Sequence, residues 1–85
     1  KFSVTLGVIP DYLFSETGMR IDGVSDGKPA HNAGMQKGDI VVQLGDVKVV
    51  DMMTYMKALG RYVKGDKVKA TVIRDGKAIE LMVQF

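Results

Sequence analysis

The chain has 85 residues, which is enough for one small domain with a modest hydrophobic core. Its composition is 46% hydrophobic and 26% charged, as in ordinary globular domains, and the lack of cysteine excludes a disulfide framework and a thiolate metal site. The net charge of +2 is weak, and the basic residues alternate with apolar ones instead of forming a patch. No apolar run approaches the roughly 20 residues of a membrane helix. We therefore expect a single domain over residues 1–85 with no nucleic-acid partner and no membrane span.

The stretch VTLGVIPD near the start predicts a short edge strand with an irregularity in the middle and a definite end. Gly7 lies in the middle of its apolar run and Pro10 ends it, and both residues are typical of bulged or edge strands. A second strand is predicted over residues 19–26, where apolar and polar residues alternate. The interrupted first strand indicates either a simple bulge or a surface on which a partner docks.

The middle of the chain combines one short helix with a strand and its return. Pro29 suits the first position of a helical turn, and Gly34 suits its left-handed exit. Residues 39–44 then predict a strand, followed by a tight turn at Gly45-Asp46 and a short return strand.

The one long helix is predicted over residues 51–63, with Asp51 as its N-cap. It carries more apolar residues than a single buried face needs, and these fall on two neighbouring stripes. The stripe expected on the core is Tyr55, Ala58 and Tyr62. The second stripe is Met52, Met56 and Leu59. This second stripe is either part of one wide buried face or the wall of a groove, for which flexible methionine is well suited.

The C-terminal part predicts a β-hairpin, because two alternating strands flank Asp75-Gly76, a pair that favours a primed turn. Together the elements predict an α+β fold, a partly open antiparallel β-barrel or sandwich of five or six strands with one short and one longer helix.

Catalytic chemistry is not expected in this chain. The sequence GVSDG matches the G-x-S-x-G pattern of a hydrolase, but that motif needs a large α/β sheet, which 85 residues cannot supply. Ser25 is therefore interpreted as a turn residue, and the single histidine, His31, as a solvated helix residue. We expect no catalytic residue, no metal site and no cofactor in this domain.

The segment PAHNAGMQKGDIVVQLGDVKV resembles the middle of a PDZ domain, in which a helix of small residues leads into a Gly-Asp turn and a strand. The residues that carry this resemblance are Pro29, Ala30, Ala33, Gly34, Met35, Gly38, Asp39, Ile40, Gly45 and Val47. The rest of the chain resembles the permuted bacterial form of the domain found in proteases. LGVIPDY, GMRIDGVSDGKPA and YMKALG are most similar to the PDZ domain appended to zinc-dependent aminopeptidases, with an HtrA-type serine protease as the next candidate for the parent.

The resemblance implies a site for a peptide between the first strand and the long helix. The implied site residues are Leu6, Gly7, Val8, Ile9, Met52, Met56 and Leu59. In this family the loop containing Gly7 binds a terminal carboxylate through backbone N–H groups, and the peptide adds as a strand beside Val8 and Ile9. Two features depart from the family pattern. Met52 stands where many members have a histidine, and Pro10 removes a backbone donor from the strand.

The expected function is therefore a peptide-binding module, cut from a larger bacterial peptidase, that binds a C-terminal or internal segment with an apolar end. The alternative is a structural role, in which the domain docks on the parent catalytic domain or a second subunit and binds no free peptide. The family resemblance also implies a location in the bacterial cell envelope or outside the cell.

Overall fold

The computed structural model describes residues 4–85, and over these residues six strands form an antiparallel sheet that packs with two helices. The strand order is β1-β2-β3-β5-β6, and β4 pairs with β3 beside this path. This architecture confirms the predicted α+β class and the open antiparallel arrangement. The elements are β1 (Val8–Pro10), β2 (Met19–Val24), α1 (Pro29–Ala33), β3 (Ile40–Leu44), β4 (Val47–Lys48), α2 (Met52–Leu59), β5 (Lys67–Arg74) and β6 (Lys77–Gln84).

The β5–β6 hairpin is the most regular part of the sheet. Its pairing runs without interruption from Lys67 opposite Gln84 to Arg74 opposite Lys77. Asp75 and Gly76 connect the strands with φ of 52° and 78°. Two consecutive positive φ angles are what a primed turn requires, so the predicted hairpin is confirmed.

The hydrophobic core lies between the sheet and the helices, and its apolar side chains come from every long element. The largest fully buried apolar side chains are Leu6, Ile21, Val41, Leu44, Val49, Val72 and Val83. One charged residue is buried with them. Asp39 accepts two hydrogen bonds of 2.8 Å from the Arg74 guanidinium and one of 2.9 Å from the Gln36 N–H. Arg74 also donates to the Gly34 carbonyl, so this ion pair ties the end of β5 to the exit of α1.

Both helices begin where the sequence predicts. Pro29 opens α1, and Gly34 closes it with a left-handed φ of 95°. Asp51 caps α2 in a capping box with Thr54, whose N–H donates to the Asp51 carboxylate at 2.8 Å.

The predicted end of the long helix is wrong, because α2 stops at Leu59 and does not reach Val63. Gly60 follows the last helical residue, and glycine is a poor helix former. The next N–H groups, of Arg61 and Tyr62, bond three residues back to tighten the chain into a turn. Tyr62 lies outside the helix to which the sequence assigned it, and it stacks on Phe85 with ring centroids 5.7 Å apart.

The first strand also differs from the prediction, since β1 covers Val8–Pro10 and excludes Leu6 and Gly7. Gly7 has a φ of 79°, which no β-strand residue adopts, so the strand can begin only after it. Pro10 is included in the strand, next to an irregularity in its pairing with β2. None of the helices among residues 4–85 is long and apolar enough to span a membrane.

Candidate functional site

The loop before β1 is shaped by close packing of Gly7 against Lys28. A Cβ atom on Gly7 would collide with the Lys28 side chain, and its positive φ is also unfavourable for other residues. Only glycine therefore allows the chain to turn into β1 at this point while the Lys28 side chain covers it.

Backbone hydrogen bonds direct the carbonyl groups of this loop toward α1 and the β2–α1 connection. The Leu6 carbonyl accepts from the Ala30 N–H at 2.8 Å, and the Gly7 carbonyl accepts from the Ser25 N–H at 2.9 Å. The Gly7 N–H donates to the Thr5 hydroxyl at 3.3 Å. Because the carbonyl oxygens of Leu6 and Gly7 accept these hydrogen bonds, their partial negative charges are directed away from the open side of the loop. An anion bound there would meet less electrostatic repulsion.

The outer edge of β1 is unpaired among residues 4–85, because β1 bonds only to β2. Beyond the strand, the Asp11 N–H donates to the Arg20 carbonyl at 2.9 Å, toward β2. Backbone groups of successive strand residues point to opposite sides, so those of Val8 and Pro10 point outward. Pro10 has no N–H, and the open edge therefore offers the Val8 donor and acceptor but only the acceptor of Pro10.

A groove of about 420 Å³ separates the open side of β1 from α2. Its lining residues are Val4, Thr5, Val8, Pro10, Tyr12, Met52, Tyr55, Met56 and Leu59. Met52, Met56 and Leu59 make the α2 side of the groove apolar, and Met56 is 38% exposed although it lines the groove. An open strand edge facing a flexible apolar wall can hold an extended chain with its side chains inserted between the two elements.

The structure brings together four of the seven predicted site residues: Val8, Met52, Met56 and Leu59 all line the groove. Leu6 is fully buried in the core beneath it. Gly7 lies under Lys28, and Ile9 is exposed away from the groove with its side chain against Gly23.

Five groove residues were missed by sequence reasoning or given another role, and two of them, Val4 and Thr5, lie just before the predicted site. Tyr55 was assigned to the core stripe, and it is indeed buried, but it also borders the groove. Pro10 was treated only as an obstacle, although its ring forms part of the wall. Tyr12 gave no signal in the sequence, since it follows the strand in a loop.

The two ends of the groove differ in charge. At the Thr5 end a neighbouring pocket of about 180 Å³ is lined by Lys28 and Lys64 together with apolar residues. At the Tyr12 end a pocket of about 190 Å³ includes Asp11, Glu16 and Asp51, and among residues 4–85 the one basic side chain that lines it is Arg20.

Two of the carboxylates at the Tyr12 end are held in their ionised form. The Arg20 guanidinium donates to Asp11 at 2.8 Å and lowers the pKa of this carboxyl. The backbone N–H of Thr54 similarly lowers the pKa of Asp51. One end of the groove is therefore basic and the other acidic at neutral pH.

Residues 4–85 contain no cluster of three His, Cys, Asp or Glu side chains that could hold a metal ion. Ser25 and His31 are not hydrogen-bonded to each other, since the His31 ring accepts from the Gly27 N–H instead. Their arrangement does not form the nucleophile and base pair of a hydrolase.

The sequence of residues 5–85 matches the family model described as PDZ domain. The chain belongs to the PDZ family. The PDZ fold accounts for the open β1 edge beside α2, and it confirms the resemblance found in the sequence.

Curated relatives of this PDZ domain include two kinds of protease. A serine protease Do-like HtrA of Lactococcus lactis is 36% identical over 61 residues, which is 72% of this chain and 15% of the relative. A Staphylococcus aureus protein that carries the name of a zinc metalloprotease is 42% identical over 57 residues, 67% of this chain and 13% of the relative. The chain thus spans only a small part of the relatives it matches, and the preference for an aminopeptidase parent is not established.

Solved structures with the same fold also come from more than one protease type. An aminopeptidase N family protein from Idiomarina loihiensis superposes with a TM-score of 0.87 at 22% identity, covering 98% of this chain and 14% of that protein. The HtrA-type protease AlgW, solved with a decapeptide, superposes with a TM-score of 0.85 at 22% identity, covering 98% of this chain and 29% of AlgW.

Proposed function

We propose that this PDZ domain binds a short peptide segment with an apolar end, as an added strand between β1 and α2. The observation that carries the proposal is the unpaired edge of β1, which faces a groove of about 420 Å³ lined on its α2 side by Met52, Met56 and Leu59. Main-chain bonds to the edge supply affinity for any extended chain, and the groove selects the side chains that enter it.

Each part of the site has a role in this proposal. The loop of Leu6 and Gly7 receives a terminal carboxylate, with Lys28 and Lys64 nearby to favour negative charge. Val8 bonds the main chain of the peptide. Met56 and Leu59, with Met52 at the start of α2, contact its apolar side chains.

The parent chain is proposed to be a bacterial peptidase. Relatives of the HtrA type and of the zinc metalloprotease type support protease association in general. A zinc aminopeptidase remains our preferred parent because of the segments LGVIPDY and YMKALG, although the relatives favour no single type. In either parent the domain would hold a polypeptide segment while a separate catalytic domain cleaves that polypeptide.

Isothermal titration with a panel of peptides that end in apolar residues tests the groove. We expect binding by the unsubstituted domain, and Met56→Lys should weaken it about tenfold or more, because peptide binding would bury an unpaired ammonium group.

Met53→Lys is the matched control, since Met53 lies on the same helix, is 79% exposed and does not line the groove. It should bind peptide as the unsubstituted domain does. No binding to any peptide, or equal binding by the Met56→Lys variant, would refute the proposal.

A structural docking role is the second candidate, and one surface favours it. Tyr12, Leu13 and Met53 are all strongly exposed apolar residues near the acidic end of the groove. If this patch docks on the parent catalytic domain or on a second subunit, deletion of the domain should change the oligomeric state or folding of the parent. If the domain binds peptides instead, deletion should change substrate preference and leave assembly intact.

A further inference from the structure

The side chain of Tyr55 combines deep burial with an unused hydroxyl. Only 4% of the residue is exposed, and burial raises the pKa of its phenol. Among residues 4–85 the hydroxyl makes no hydrogen bond. A buried tyrosine hydroxyl normally has a partner, because leaving one unpaired costs free energy that phenylalanine would avoid.

The Tyr55 oxygen is not sealed inside the protein. Every fully enclosed side-chain nitrogen or oxygen among residues 4–85 has a hydrogen-bond partner, so an unpartnered oxygen must reach open space. The cavity that Tyr55 lines is the groove between β1 and α2. Tyr55 therefore brings a phenol to the helix side of the groove, beside Met52 and Met56.

The opposite wall of the groove lacks a donor. The backbone of Pro10 points to the open edge but carries no N–H, so a strand added beside β1 would present one main-chain carbonyl with no backbone partner. Burying such a carbonyl without a hydrogen bond is unfavourable. Pro10 and Tyr55 both line the groove, one from each side.

We propose that the Tyr55 hydroxyl donates a hydrogen bond to the peptide carbonyl that faces Pro10, replacing the missing backbone donor. This inference rests on the proposed peptide-binding function and adds a positioning residue to it. The bond would be made to the main chain, so it would hold the register of the peptide without selecting its sequence. Side-chain selection would remain with the methionines of the groove.

Tyr55→Phe tests the inference, because it removes the oxygen and keeps the ring. We expect peptide affinity to fall about two- to tenfold, the range for one net hydrogen bond. Thermal unfolding should show an equal or higher melting temperature, since the hydroxyl has no partner in the free domain. Tyr62→Phe is the matched control, with the same atom removed from a tyrosine that stacks on Phe85 and does not line the groove. It should bind within about twofold of the unsubstituted domain.

Pro10→Val provides the decisive second variant, because it restores a backbone N–H at the open edge. When Pro10→Val is already present, Tyr55→Phe should lower the peptide affinity by less than about twofold. The two substitutions would then be non-additive in a double-mutant cycle. Unchanged affinity of Tyr55→Phe, an equal loss in Tyr62→Phe, or strictly additive effects with Pro10→Val would overturn the inference while leaving peptide binding intact. Failure of the unsubstituted domain to bind any peptide would instead refute the proposed function, and this inference with it.

Discussion

The two sides of the sheet differ in how completely they are paired. At one side β5 and β6 are each eight residues long, pair along their whole length and join through a regular two-residue turn. At the other side β1 is three residues long and has an irregular register with β2. Over residues 4–85 both β1 and β6 are terminal strands of the sheet, but it is the β1 edge that borders the groove beside α2. The long hairpin stabilises the fold, whereas the short strand leaves backbone groups available beside a groove.

The shortness of β1 also limits unwanted pairing of its open edge with other chains. Unpaired edges promote pairing with other chains, and short strands and proline are common ways to prevent it. Pro10 ends β1 and removes a donor, so two copies of the domain cannot extend a long ladder through this edge. The same features restrict any bound peptide to a short contact.

The difference between the buried core of the sheet and the groove beside β1 can be tested most strongly with one truncation to alanine in each. Leu44 is fully buried in β3, while Met56 is partly exposed in the groove. Leu44→Ala should lower the free energy of unfolding by about 3 kcal/mol, because it leaves a cavity in the core. Met56→Ala should lower it by about 0.5 kcal/mol or less and should mainly weaken peptide binding. Urea unfolding of both variants measures the difference, and similar losses would show that the groove wall is part of the core.

The loop before β1 can be tested by adding one methyl group. Gly7→Ala should destabilise the domain by about 2 kcal/mol or more, since strain at positive φ adds to a collision with Lys28. Gly27→Ala is the control, because Gly27 has a similar φ of 74° but no neighbouring atom within 4 Å of the added carbon.

The Gly27→Ala variant should lose about 1 kcal/mol, from backbone strain alone. Urea unfolding measures both variants. Equal losses in the two variants would mean that the packing of Lys28 on Gly7 contributes nothing to stability.

A smaller effect is expected from pH at the start of α2. The Thr54 N–H lowers the pKa of Asp51 below its ordinary value of 3.8, so the folded state favours the ionised carboxyl. This contribution to stability is present above pH 4 and is lost as the pH falls below it. Asp51→Asn keeps a capping side chain without the charge, and its urea midpoint should therefore fall less between pH 5 and pH 3 than that of the unsubstituted domain. An equal fall in both proteins would assign the acid sensitivity to other carboxyls.

Local chemistry explains which features the sequence could predict. The Asp75-Gly76 turn and the Asp51 cap depend on neighbouring residues, so their positions follow from the sequence directly. The end of α2 combines a local signal, Gly60, with a contact between distant residues, Tyr62 on Phe85, and no local pattern reports the second. The start of β1 likewise depends on the distant packing of Gly7 against Lys28.

The groove was predicted in outline but not in detail. Helical spacing separated Met52 and Met56 from the core residues of α2, and both line the groove. Tyr55 could not be assigned to it from spacing, because a residue at the border of a buried face can contact both the core and a cavity. The roles of Pro10 and Tyr12 depend on how β1 faces α2, which requires the folded structure.

The most direct test of peptide binding at the β1 edge is an NMR titration of the ¹⁵N-labelled domain with a short peptide that has an apolar last residue and a free carboxyl terminus. We expect the largest shifts at the backbone amides of Leu6, Gly7 and Val8 and along α2, with the β5–β6 hairpin nearly unchanged. The absence of shifts at saturating peptide, or shifts concentrated in the β5–β6 hairpin, would contradict the assignment of the site.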